Sequence, residues 1–144
     1  MTPTQILSAS GSSTLKIHST APSAENDYPI AQVLKDAHPL GCHHLCTSRN
    51  GSRAASVGFG GEVRVWNLGE GMWVEDEVGI KGEGGKKLKA GEVWAIALTE
   101  EGRYLVGTSS DGKIGVWDLE SPERRKIREY ETKGSFGMCV DVVC

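Results

Sequence analysis

Three stretches of this 144-residue chain repeat one another, and that self-similarity constrains the fold more than any other feature. Leu7–Ser19, Ala55–Asn67 and Val106–Asp118 align without gaps. Each is a run of small residues, a glycine- or serine-containing turn, and a run alternating apolar and polar residues. The alternating pairs are Leu15/Ile17, Val63/Val65 and Ile114/Val116, the period-two pattern of a half-buried strand. Ser12-Ser13, Gly60-Gly61 and Asp111-Gly112 stand between the runs and predict two-residue hairpin turns, whose residues tolerate positive φ.

The register extends backwards. Gly51 of Ser48-Arg-Asn-Gly precedes Gly102 of Thr99-Glu-Glu-Gly by the same interval that separates Trp66 from Trp117, so a further strand precedes each of the last two hairpins. Ile30–Lys35, Met72–Val78 and Ile127–Glu131 are the expected outer strands. No segment keeps apolar residues at helical spacing for three turns without glycine or proline, so the expected class is all-β. Three or four strands repeating every 40 to 50 residues or so is the pattern of a β-propeller blade. The units are expected at about 5–35, 38–78 and 89–131, with the start of a fourth blade at 134–144.

Composition narrows function. The net charge is −3 and basic residues alternate with acidic ones, as in Glu123-Arg-Arg-Lys-Ile-Arg-Glu129, which disfavours direct nucleic-acid binding. Apolar runs are too short to span a bilayer, and the N-terminal residues lack a signal-peptide pattern, so the expected compartment is intracellular. Cys42, Cys46, Cys139 and Cys144 are accordingly read as small buried hydrophobes or free thiols.

With Val65-Trp-Asn67, Val116-Trp-Asp118 and Asp36-Ala-His38, the chain resembles the WD-repeat family. In that family a His before the innermost strand, a Ser or Thr in the second, an Asp in the hairpin turn and the Trp of the third form a blade-stabilising network. The residues expected to carry it here are His38, Trp66, Asp111 and Trp117. It reads as incomplete everywhere: Gly60 holds the Asp position of the second unit, Lys89 the His position of the third, and His18 the Trp position of the first. Stability is therefore expected to lean on packing.

The likeness sharpens at Gly41-Cys-His-His-Leu45, Gly58-Phe-Gly-Gly-Glu-Val63, Gly91-Glu-Val-Trp-Ala-Ile-Ala97 and Arg128-Glu-Tyr-Glu-Thr-Lys-Gly-Ser-Phe-Gly-Met138. These look like the WD-repeat subunit of the fungal superkiller (Ski) complex, which in that family doubles as a meiotic recombination protein. The resemblance implies a seven-bladed propeller of which about three blades are present, so the chain reads as a truncated product whose open strand edges favour self-association. It also implies a non-catalytic scaffold for a TPR-repeat protein and an RNA helicase in exosome-linked 3′–5′ mRNA decay, with a second role among meiotic recombination proteins. Cytoplasmic and nuclear residence follow from those roles; the alternatives are a generic WD-repeat adaptor or a metal-dependent propeller enzyme.

Motifs that suggest chemistry read blandly. Cys42-His-His-Leu-Cys46 has zinc-type residues but no second ligand pair, and a strand would put Cys42, His44 and Cys46 on one face. Gly82-Glu-Gly-Gly-Lys-Lys87 misses the spacing and the Ser or Thr of a phosphate loop, and reads as a solvated connection. No Gly-x-Ser-x-Gly elbow or scaffolded acid pair is present, so neither cofactor nor metal nor catalysis is expected. Trp94, Phe136 and Met138, at the starts of innermost strands, are expected at a top-face rim where they could anchor partners, with His43 and Phe59 beside them.

Overall fold

The computed structural model describes residues 4–21 and 27–143. They form three antiparallel sheets. The first runs β1 (Gln5–Ala9), β2 (Leu15–Ser19), β3 (Ile30–Leu34); the second β4 (Cys42–Thr47), β5 (Arg53–Gly58), β6 (Val63–Gly69), β7 (Met72–Glu75); the third β8 (Ile96–Leu98), β9 (Tyr104–Thr108), β10 (Lys113–Asp118), β11 (Lys126–Glu131). A single 3-10 turn, Glu83–Gly85, is the one helical element among the described residues. The class is all-β, and each sheet is one blade.

The hairpins differ from expectation. Ser10 N–H bonds Thr14 O, Gly58 N–H bonds Glu62 O and Ser109 N–H bonds Lys113 O, enclosing three residues rather than two. Only the last of each trio turns left-handed: Ser13 at φ 68°, Gly61 at 95° and Gly112 at 86°. A turn closed by one left-handed residue suits three-residue loops, so one permissive position per turn suffices. The second outer strand also ends early. Asp76 folds its carboxylate back onto the Val78 N–H at 3.0 Å, a local side-chain bond that replaces the next ladder bond.

The blades stack through two cores. Leu15 and Ile17 of the first meet Ala54, Trp66 and Trp73 of the second. On the opposite face of the second blade, Ala55, Val57, Val63 and Val65 meet Ile96, Leu98, Leu105, Trp117 and Leu119 of the third. Successive residues of β5 thus serve opposite interfaces, which requires the small run Ala54-Ala-Ser-Val-Gly58 and leaves it buried on both sides.

A bulge in β4 corrects the single-face reading of Cys42, His44 and Cys46. Cys42 pairs Gly58 while His44 pairs Val57, so His43 is an extra residue and the alternation slips by one. Cys42 packs into the first core and Cys46 against the second. His44 also turns towards the third blade, where its Nδ1 accepts from the Ile96 N–H at 3.0 Å. Cys42, Cys46 and Cys139 are free thiols, and Cys144 lies outside the described residues.

Residues 134–143, in the expected fourth unit, contain no strand. They are tied to the third blade by Gly137 N–H to Ser109 O at 3.1 Å and Thr108 Oγ1 to Gly137 O at 2.7 Å. Cys42 N–H bonds Ser10 O in the same way where the second blade begins.

Candidate partner-binding rim and the network beneath it

The second blade holds a closed polar network that the sequence reading judged incomplete. Trp66 Nε1 donates to Ser56 Oγ at 2.9 Å, and His38 Nε2 lies 2.7 Å from that same oxygen. On its other side His38 Nδ1 sits 3.1 Å from Glu62 Oε1. The indole can only donate, and a carboxylate can only accept, so the imidazole carries its proton on Nδ1 and receives the Ser56 hydroxyl proton at Nε2. Burial pushes the His38 imidazole below its ordinary pKa, outweighing the attraction of Glu62, and keeps it neutral.

Glu62 therefore does the work of the missing turn aspartate, two residues beyond Gly60 where that aspartate was sought. Gly58 makes room: a Cβ there would stand 2.5 Å from His38 Nδ1 and closer still to the Glu62 carboxylate. The signal was present as the pair Gly58/Glu62, but only the fold shows that the longer side chain reaches back.

The third blade corrects the reading of Asp111 and Trp117 as network partners. Trp117 is 2% exposed, yet its Nε1 finds no acceptor among the described residues. The register that sets Ser56 opposite Arg64 sets Gly107 opposite Gly115, so no hydroxyl is available there. Asp111 is exposed in its turn and accepts from Ser109 Oγ at 2.5 Å, which draws its carboxyl pKa down. In the first blade His18 Nε2 lies 3.4 Å from Ser8 Oγ, a looser version of the Trp66–Ser56 contact at the equivalent register.

Above the network, side chains from separate units meet in a row of rings. His43, on the bulge of β4, stacks on Trp94 with centroids 4.3 Å apart and planes 24° apart. Phe59, in the β5–β6 turn, tilts against His43 at 4.9 Å, and Phe136, after β11, meets Trp94 edge-on at 5.4 Å. Backbone bonds hold three of the four: Phe59 N–H to Gly41 O at 3.0 Å, Trp94 N–H to Thr108 O at 2.6 Å and the Gly137 tie beside Phe136. Each ring contact contributes on the order of 1 kcal/mol beyond its area. Burial lowers the pKa of His43, with His44 and His38 adding to the effect, so it stacks as a neutral ring.

The row is half open to solvent. Phe59 is 48% and Phe136 45% exposed, and Met138, two residues on, is 68% exposed. The four rings among the five residues expected at the rim are thus brought together, from the second blade, the third blade and the segment after β11.

Nothing among the described residues assembles three metal-ligating groups. Cys46 is half-buried, and the burial of its thiol pushes that group up to about 12, far from the thiolate that nucleophilic or metal chemistry needs. In the glycine-rich connection the Gly82 and Lys86 amides are spent on Lys86 O and Glu83 O, closing the loop on itself.

Comparison with known proteins agrees with this geometry. The family described as WD domain, G-beta repeat matches residues 85–118, which comprise β8 to β10. The fold is that of a partial WD-repeat propeller. The chain is similar to the meiotic recombination protein rec14 of Schizosaccharomyces pombe, 34% identical over 134 residues, covering 93% of this chain and 40% of that protein. It is also similar to the cilia- and flagella-associated protein 52 of Bos taurus and of Sus scrofa, 28% and 29% identical over 98 residues, covering 68% of this chain and 15% of each relative. The chain thus spans 40% or less of the length of these relatives.

Proposed function

We propose that this WD-repeat chain is a non-catalytic scaffold whose aromatic rim grips short segments of partner proteins, and that it serves meiotic recombination. The row Phe59–His43–Trp94–Phe136 carries the reading. Aromatic side chains that are half exposed, fixed by backbone bonds and stacked on one another lose little entropy when a partner covers them, which is what interface anchors require. The likeness to rec14 over nearly the whole chain supports the process; partners would be meiotic recombination proteins in the nucleus.

The finer resemblance to the superkiller subunit adds a second proposed setting, in the cytoplasm, beside a TPR-repeat protein and an RNA helicase. The helicase, not this chain, would do chemistry. Both settings need only a rigid rim that accepts a short segment.

Affinity capture of the tagged chain from its own cell extract, run beside a Trp94→Ala/Phe136→Ala double variant, tests this. Recombination proteins, or helicase and TPR subunits, should be recovered by the wild type and lost with the variant. Recovery by both proteins moves the site off the rim; recovery by neither overturns the scaffold reading for this chain.

A further inference from the structure

The connection from β10 to β11 reads Leu119-Glu-Ser-Pro-Glu-Arg-Arg125, which puts Pro122 next to Ser121 and Arg124 three residues on. Ser121 is half-buried at the surface; its hydroxyl donates to Asp118 O at 2.9 Å and accepts from the Arg125 N–H at 2.9 Å. Arg124, at φ 50°, folds its guanidinium back over the loop. Nη1 donates to Ser121 O at 2.6 Å and Nη2 to Asp76 Oδ2 at 2.6 Å, tying the outer edge of the third blade to the second. Its Nε is buried and without an acceptor among the described residues. Beside the loop, a cavity of about 890 Å³ is flanked by Lys81, Arg125, Lys126 and Arg128, against Glu83 and Glu129.

We propose that Ser121 is a phosphorylation site for a proline-directed kinase that also reads a basic residue three positions on, and that the phosphate draws Arg124 away from Asp76. A proline after the acceptor has no N–H, so it suits a kinase pocket that offers no acceptor to that position, and an arginine at the third place can pair with an anion of the kinase. In the transfer, the γ-phosphoryl group of ATP moves to Ser121 Oγ, the hydroxyl proton goes to a base of the kinase, and ADP leaves.

The product carries nearly two negative charges and three acceptor oxygens next to a guanidinium that already reaches the Ser121 backbone and whose Nε donor is unused. Asp76, whose side chain is 5% exposed, then loses its counter-ion and faces a second anion across the same arginine. The blade 2–blade 3 contact loosens at its outer edge. This reading is independent of the aromatic rim.

The test is to incubate the purified chain with a cyclin-dependent kinase and magnesium ATP, locate phosphate by mass spectrometry, and compare melting temperatures. One phosphate should appear at Ser121 and disappear in Ser121→Ala and Pro122→Ala. The melting temperature of the wild type should fall on modification by roughly 2–4 °C, while Asp76→Asn, already without the pair, should show no further fall. Asp76→Ala, which also removes the carboxylate of the pair, serves in its place if Asp76→Asn does not fold. No phosphate on Ser121, from a kinase active on a peptide of residues 118–128, overturns the site. An equal fall in the wild type and in the Asp76 variant overturns the link to the ion pair.

Discussion

The imidazole of His38 and the hydroxyl of Ser56 stand 2.7 Å apart at 0% exposure, and that one contact joins the loop entering the second blade to its second strand. Ser56 Oγ also receives the Trp66 indole proton, so one oxygen serves two buried groups. Ser56→Ala should orphan both and cost about 1–3 kcal/mol in urea-unfolding free energy. Gly107→Ala in the third blade probes the contrast: its Cβ would meet Val93 and Trp117 carbons at 3.0 and 3.2 Å with no network to break. Gly58→Ala, which drives a Cβ into His38 and Glu62, should destabilise more than Gly107→Ala; the reverse order would remove the network from the account.

Three neighbouring histidines give stability a pH dependence. Burial is the leading cause that holds His38, His43 and His44 below 6.5. The unfolded chain therefore takes up protons first as pH falls, so the stability they contribute is complete above about 6.5 and is lost below it, down to their folded values. His44 must stay unprotonated at Nδ1 to accept the Ile96 amide across the blade interface. Urea midpoints should drop between pH 7.5 and pH 5.5, and the drop should shrink in His44→Gln. A flat profile over that range would show that these rings do not gain protons on unfolding.

Gln32 on β3 brackets the backbone of Trp73 on β7: its Nε2 donates to Trp73 O and its Oε1 accepts from Trp73 N–H, each at 2.8 Å. The amide thus imitates one rung of a sheet between blades that are not paired strand to strand. Gln32→Leu should cost about 1–3 kcal/mol by leaving the Trp73 amide unpartnered in a half-buried site. Chemical denaturation reads this, and an unchanged midpoint would mean that water replaces the rung.

The rim should separate binding from folding. Phe59→Ala and Phe136→Ala remove rings that are about half exposed, so each should cost only about 1 kcal/mol of stability. If they anchor a partner, each should weaken capture of it about tenfold or more in titrated pull-downs. Loss of stability matching loss of binding would make them core residues rather than anchors.

What could be read along the chain was local. Trp66, Trp117 and the alternation around them marked the strands, because a period of two and a turn residue act over a few positions. The rim residues His43, Phe59, Trp94 and Phe136 were legible one by one from their places at strand starts and turns. That Phe136 would meet Trp94 was not, since it depends on how the segment after β11 runs. The bulge at His43 was also hidden: a single extra residue leaves the composition of Cys42–Cys46 unchanged while sending its two cysteines into different cores.

By itself the sequence determined three blades' worth of hairpins, the places of their turns though not their length, and their all-β class, through spacing and backbone permissiveness. Only the tertiary structure decided that Glu62 would stand in for an aspartate, that Trp117 would go without an acceptor, and that rings from positions 43, 59, 94 and 136 would form one row. The physical reason is reach. Those contacts depend on side-chain length and on the stacking of one blade against the next, which no run of neighbouring residues encodes.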